Sequence, residues 1–198
     1  MRWTGLAAAA IAISLCSCSI LNSKGTPVDR YVLVVRPQAD EATQVPLTLG
    51  IRPLYSARPY HVDMVYLDEG GKLSDYTGAQ WAELPETVVT RALTDAFNAT
   101  KRFKDVGNAA DMARPDIILT GEVREFVEDR TVVPAEAVVE IYAASRYARD
   151  TALVWSGVST ARVPLDGSGA EALRKAMQEA VAQAVQEITQ NTVASVKD

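Results

Sequence analysis

The chain has 198 residues, with 20 lysines and arginines against 25 aspartates and glutamates, and a formal net charge of −5. This acidic balance excludes nucleic acid as a partner, because nucleic-acid binding needs a basic surface. Hydrophobic residues make up 48% of the chain, which is enough to bury the core of one domain.

The N-terminus has the pattern of a secretory signal. Arg2 precedes an apolar run from Leu6 to Leu15, which is about half of the roughly 20 residues that a membrane-spanning helix needs. The sequence that follows resembles the lipobox of bacterial lipoproteins, with Leu15 three residues and Ser17 one residue before Cys18. We expect cleavage after Ser17 and acylation, including palmitate, of Cys18. An ordinary signal peptide and a short membrane anchor are the alternatives.

This interpretation sets the domain boundaries. Residues 1–17 are the signal peptide, residues 18–29 are the lipidated cysteine and a polar tether, and residues 30–198 form a single domain. Processing accounts for both cysteines, so no thiol remains for a disulfide, a zinc site or a nucleophile. Ser19, in place of an aspartate, favours the periplasmic face of the outer membrane under the sorting rules of Gram-negative lipoproteins.

Strand signals dominate the first half of the domain. The run Tyr31–Val35 is continuously apolar and predicts a strand buried on both faces. Leu47, Leu49 and Ile51 alternate with polar residues, which predicts a strand with one wet face. Residues 62–67 and 72–76 flank Asp68-Glu69-Gly70-Gly71, which is a hairpin signal.

Two segments have helical periodicity. The first starts near Pro85, and the second ends the chain. Their apolar stripes are Val88, Val89, Ala92, Leu93, Ala96 and Phe97 in the first, and Leu173, Ala176, Met177, Ala180, Val181, Ala184, Val185 and Ile188 in the second. The second stripe is rich in alanine, and two interpretations are open: packing against a sheet, or an interface in a homo-oligomer.

Between the helices the period returns to two residues. Residues 115–126, 137–143 and 153–163 have the spacing of an antiparallel meander. The order of elements predicts an α+β fold, with a mostly antiparallel sheet and two amphipathic helices packed on one face. The crossovers around the first helix leave room for parallel contacts there.

No catalytic constellation stands out. His61 is the only histidine, and Asp63 follows two residues later, so a strand would place both on one face. No nucleophile motif or further metal ligand accompanies this pair, so we expect no catalytic residue, no cofactor, no metal site and no enzymatic activity.

A recognition loop is the better candidate for function. Tyr55, Arg58, Tyr60 and His61 join aromatic rings to a guanidinium, and Trp81 follows soon after in the sequence. This mixture is enriched in protein interfaces, so these five residues are candidate partner contacts. A strand connection packed on its own domain is the alternative.

The chain resembles the ABC-type transport auxiliary lipoproteins of the paraquat-inducible protein C type. The resemblance rests on the following segments: Tyr31–Pro37, Ile51-Arg52-Pro53, Trp81-Ala82-Glu83-Leu84-Pro85 leading into Val88–Phe97, Phe103-Lys104-Asp105-Val106, and Pro115–Glu125 with Gly121-Glu122 at mid-strand.

The resemblance implies a non-catalytic lipoprotein of the outer membrane. Its partners would be an MCE-domain protein and the ABC transporter that works with it to move lipid across the periplasm. The alternative is an envelope-assembly or cell-wall-associated lipoprotein that serves another complex.

Overall fold

The computed structural model describes residues 27–38 and 40–197, so Cys18 lies outside the described residues. This part of the chain folds into nine strands and two helices. They are β1 (Asp29–Tyr31), β2 (Val45–Ile51), β3 (Tyr55–Ser56), β4 (Asp63–Leu67), β5 (Leu73–Trp81), α1 (Pro85–Thr100), β6 (Phe103–Asn108), β7 (Ile117–Asp129), β8 (Glu136–Tyr147), β9 (Leu153–Pro164) and α2 (Ala170–Ser195).

The long strand β7 organises the sheet. One of its edges pairs antiparallel with β8, which pairs antiparallel with β9. Its other edge is shared in turn by β2, β3 and β4, all parallel to it. Beyond these, β6 extends the sheet from β2, and β5 followed by β1 extends it from β4.

The sheet is therefore mixed, and the prediction of a mostly antiparallel sheet is wrong, although the α+β class is confirmed. Of the eight strand pairings in the described residues, five are parallel. The physical reason is that β7 pairs with β2, β3 and β4 from the N-terminal half of the chain. Long crossover connections separate these strands from β7 in the sequence. Such crossovers join parallel strands, whereas tight hairpins join antiparallel ones.

Both helices form as the periodicity predicts. Every residue of the two predicted apolar stripes is buried. The helices contact each other, α2 covers β8 and β9, and all these elements share one core. The alanine-rich stripe of α2 is thus occupied within its own chain, which confirms packing against the sheet rather than an interface between copies.

The first predicted strand differs from the expectation. Only residues up to Tyr31 belong to β1, and residues 32–38 leave the sheet. Leu33 is 4% exposed, whereas Val32 and Val34 are 50% and 52% exposed. Because β1 is an edge strand, the chain beyond it has core on one side and solvent on the other. The strand also begins at Asp29, the last residue of the predicted tether.

Candidate partner-contact surface

The predicted recognition loop begins with β3, which lies against the middle of β7. Tyr55 is the register partner of Glu122, and the Ala57 N–H donates to the Val123 carbonyl at 2.8 Å. The Ser56 hydroxyl donates to the Glu86 carboxylate of α1 at 2.7 Å. These bonds fix the backbone of β3, while the side chain of Tyr55 stays 61% exposed.

Tyr55 belongs to a row that crosses the sheet face opposite the helices. Glu122 pairs with Tyr142, and Tyr142 pairs with Val158. Register partners project from the same face of a sheet. We call Tyr55, Glu122, Tyr142 and Val158 the outer-face row; it spans β3, β7, β8 and β9, and its two ends are well exposed, with Val158 at 45%.

Arg124 fixes the middle of the outer-face row. Its guanidinium carbon lies 4.7 Å from the centre of the Tyr142 ring, and its Nε donates to Glu122 at 3.3 Å. A second guanidinium nitrogen lies 3.9 Å from the Glu140 carboxylate. Exposed ion pairs contribute only about 0–1 kcal/mol to stability, so these charges chiefly orient the ring and set the electrostatic character of the face.

The rest of the predicted loop forms a turn beside this row. The Tyr60 N–H donates to the Ala57 carbonyl at 3.0 Å, and Arg58 and His61 are exposed on the turn. Tyr60 itself is half-buried against a small apolar cluster on the outer face. Burial, together with the negative charges of Glu125 and Glu140, raises the pKa of its phenol, so Tyr60 stays neutral at physiological pH.

Trp81 does not belong to this surface, and its prediction as a partner contact is wrong. It is 3% exposed, and its ring packs edge-to-face against Phe126 with 5.5 Å between ring centres. Ala79 and Trp81 are both buried at the end of β5. This alternation is the sequence signal that would have assigned Trp81 to the core.

His61 and Asp63 do not form a hydrogen-bonded pair. His61 is exposed on the turn, and the Asp63 carboxylate instead accepts a hydrogen bond from the Gln80 side-chain amide at 2.7 Å. Residues 27–38 and 40–197 contain no group of three or more potential ligands arranged to hold a metal ion. In the same residues, no helix is both long and apolar enough to cross a bilayer.

Sequence reasoning missed Tyr142 and Val158. Both occupy the solvent-facing positions of strands whose alternate residues, such as Ile141, are buried. An aromatic or aliphatic side chain at a position that the period assigns to solvent is the signal that could have found them.

A cavity of about 670 Å³ opens away from the outer-face row, at the end of the sheet where β2 and β7 begin. Two of the charged residues that line it are engaged: Asp116 accepts from both the amide and the hydroxyl of Thr48 at 2.8 Å, and Arg149 pairs with Asp150 at 3.0 Å. The outer-face row, whose apolar ends face solvent, is therefore the stronger candidate for partner contact.

The family model for the ABC-type transport auxiliary lipoprotein component matches residues 31–189. The chain belongs to this family. The matched range covers α1 and β2 to β9 in full, most of α2, and Tyr31 alone of β1, so the outer-face row lies on the family domain itself.

Solved structures show the same fold. Protein XCC0632 from Xanthomonas campestris has a TM-score of 0.75 at 23% identity, covering 84% of this chain and 96% of its own. An uncharacterised protein has a TM-score of 0.62 at 12% identity, covering 78% and 98%. A hypothetical protein from Chlamydia trachomatis has a TM-score of 0.53 at 8% identity, covering 76% and 99%. No curated protein sequence matches the chain.

Proposed function

We propose that this lipoprotein is a non-catalytic auxiliary subunit of an ABC transporter that moves lipid across the periplasm with an MCE-domain protein. Lipid on Cys18 attaches it to the periplasmic face of the outer membrane, and the folded domain docks the transport machinery there. The observation that carries this proposal is the family match over residues 31–189, together with the lipobox that precedes it.

The outer-face row is the proposed docking site. Aromatic and arginine side chains are enriched at the centres of protein interfaces, where they give large contact areas at low entropic cost. Tyr55, Tyr142 and the stacked Arg124 supply this chemistry on a rigid sheet. Arg58 on the adjoining turn, next to the exposed His61, adds positive charge at the rim, which complements an acidic partner surface.

Affinity purification from crosslinked envelopes, with a C-terminal tag, tests the proposal. We expect an MCE-domain protein or its ABC transporter subunits to be enriched with the wild-type protein. Arg58→Glu should reduce their recovery by reversing charge beside the outer-face row. Lys104→Glu reverses a charge that is also exposed, on β6, and serves as the matched control.

Recovery of other envelope machinery without these transport proteins would contradict the proposal. It would favour the envelope-assembly or cell-wall alternative instead. Equal losses of partner with Arg58→Glu and Lys104→Glu would contradict the assignment of the docking site while leaving the transport role intact.

A further inference from the structure

The loop between β7 and β8 carries an unusual apolar tip. Val133 is 99% exposed and Val132 is 38% exposed. Turn and loop positions of this kind are ordinarily filled by glycine, proline, asparagine, aspartate or serine. Two adjacent exposed valines at the end of a long hairpin form an apolar protrusion that a membrane or an apolar protein surface could cover.

The base of this loop is firmly held. Arg130 donates to Glu128 at 2.8 Å, and its guanidinium carbon lies 3.6 Å from the centre of the Tyr66 ring. On the other side, the Leu165 N–H donates to the Ala135 carbonyl at 2.8 Å. The valines are thus presented on a braced hairpin, so they do not fold back over their own domain.

The topology places this tip at the end of the sheet where the chain enters the domain. β1 is parallel to β5, β5 is antiparallel to β4, and β4 is parallel to β7. β1 therefore runs opposite to β7, and the N-terminal end of β1 faces the same way as the C-terminal end of β7. The loop with Val132 and Val133 projects from that C-terminal end.

The chain length between this end and Cys18 keeps the tip near any bilayer that holds the lipid. Residues 19–27 can span at most about 30 Å even when fully extended. Val28, which is 47% exposed, lies at the same end, immediately before β1.

We propose that Val132 and Val133 insert into the surface of the lipid bilayer and orient the anchored domain, with the β7–β8 hairpin pointing at the membrane. The inference rests on the lipid attachment in the proposed function, but not on the transport role. Two valines bury too little apolar area to hold a domain at a membrane alone, so the acyl chains supply attachment and the tip supplies orientation.

The charges around the tip favour a bilayer of low charge. The neighbouring β4–β5 turn carries Asp68 and Glu69 with one exposed base, Lys72, and Asp166 follows Leu165 in the next loop, so these three acidic groups outnumber Lys72. These carboxylates repel anionic headgroups. We therefore expect stronger contact with zwitterionic phosphatidylethanolamine and phosphatidylcholine than with phosphatidylglycerol.

A single environment-sensitive dye tests the orientation. Cys16 and Cys18 are the only cysteines, and lipidation blocks the second after the first is removed, so Val133→Cys gives one labelling site in the mature lipoprotein. The matched control is Leu153→Cys. Leu153 is 50% exposed at the start of β9, at the end of the sheet opposite to the β7–β8 loop. Both labelled proteins are reconstituted into phosphatidylcholine vesicles, with flotation as the check of attachment.

We expect a blue shift and a roughly twofold or greater rise in emission at position 133, with quenching by spin-labelled lipid, and neither at position 153. The change at position 133 should shrink in phosphatidylglycerol vesicles at low salt. Floating protein with equal signals at both positions would overturn the inference and leave attachment standing.

Failure to float would overturn the inference and the proposed attachment together. Shielding of position 133 in native envelopes without quenching by lipid would assign the tip to a protein partner instead, and would also overturn it.

Discussion

The Tyr76 hydroxyl donates a hydrogen bond to the Glu128 carboxylate, which is almost completely buried where β7 ends. The same carboxylate accepts a hydrogen bond from Arg130, and the rings of Tyr66 and Tyr76 meet edge-to-face with 5.5 Å between their centres. A buried carboxylate is tolerated only when it is paired and hydrogen-bonded. This cluster therefore locks the base of the β7–β8 loop to the neighbouring strands.

Replacing Tyr76 with phenylalanine should destabilise the domain. Tyr76→Phe removes one donor from a buried carboxylate, which costs about 1–3 kcal/mol of the free energy of unfolding near neutral pH. Urea unfolding of wild type and variant measures the difference. Tyr55→Phe removes a hydroxyl from a side chain that is 61% exposed and should change the midpoint little.

The same pair predicts a pH dependence. Burial and the hydrogen bond to Glu128 raise the pKa of the Tyr76 phenol above its ordinary value of 10.0. Above about pH 10 the unfolded chain releases this proton while the folded chain keeps it, so the wild type loses stability as the pH rises. Tyr76→Phe lacks this loss, so the difference in free energy of unfolding between wild type and variant should narrow as the pH rises. A gap of constant size up to about pH 11 would contradict the assignment.

Gly121 should not tolerate a side chain. A Cβ atom at this position would lie 2.6 Å from the Tyr142 carbonyl oxygen of the paired strand β8. We expect Gly121→Ala to cost about 1–3 kcal/mol in urea unfolding, because neither strand can move away without breaking its ladder. Gly107→Ala on β6 is the control, because a Cβ atom there would lie 3.9 Å from the Met112 sulfur, which is ordinary van der Waals contact. Equal midpoints for the two variants would contradict the close approach.

Attachment to the membrane should depend on one cysteine. We expect Cys18→Ala to block lipidation and to leave the chain uncleaved or mislocalised. Cys16→Ala removes the other thiol but keeps the lipobox, so it should be processed normally. Intact mass and membrane fractionation measure both outcomes. Normal cleavage and normal outer-membrane pelleting of Cys18→Ala would show that the lipobox interpretation is wrong.

The helices and the meander could be predicted because the hydrophobic periodicity that marks them lies within each segment. The apolar stripe from Val88 to Phe97 repeats with the helical period, and each of its members is buried. Likewise, Ile141 and its alternate neighbours mark one face of β8. The sharp turn at residues 68–71 also fixes the β4–β5 hairpin without any long-range information.

The sheet order could not be read in the same way. Parallel pairings such as Leu49 with Ile117 join residues far apart in the chain. An alternating pattern of apolar and polar residues predicts a strand, but it does not predict which strand pairs with it. The continuous run Tyr31–Val35 was misleading for a related reason: its burial depends on an edge position that only the assembled sheet defines.

The candidate surface was predictable in part. Tyr55, Arg58 and His61 are exposed as a recognition loop requires, because short polar and aromatic segments between strands stay at the surface. Trp81 is buried because it ends a strand that packs on Phe126. Tyr142 and Val158 join Tyr55 only through the registers of three strand pairs, so no local pattern could bring them together.

Site-specific photocrosslinking from position 55 in living cells tests the central claim most directly. A photoreactive phenylalanine in place of Tyr55 keeps an exposed ring at the end of the outer-face row, and the same residue in place of Lys104 serves as the control. We predict that position 55 crosslinks to an MCE-domain protein or an ABC transporter subunit, and that position 104 does not. Crosslinks from position 55 to other envelope proteins alone would contradict the account.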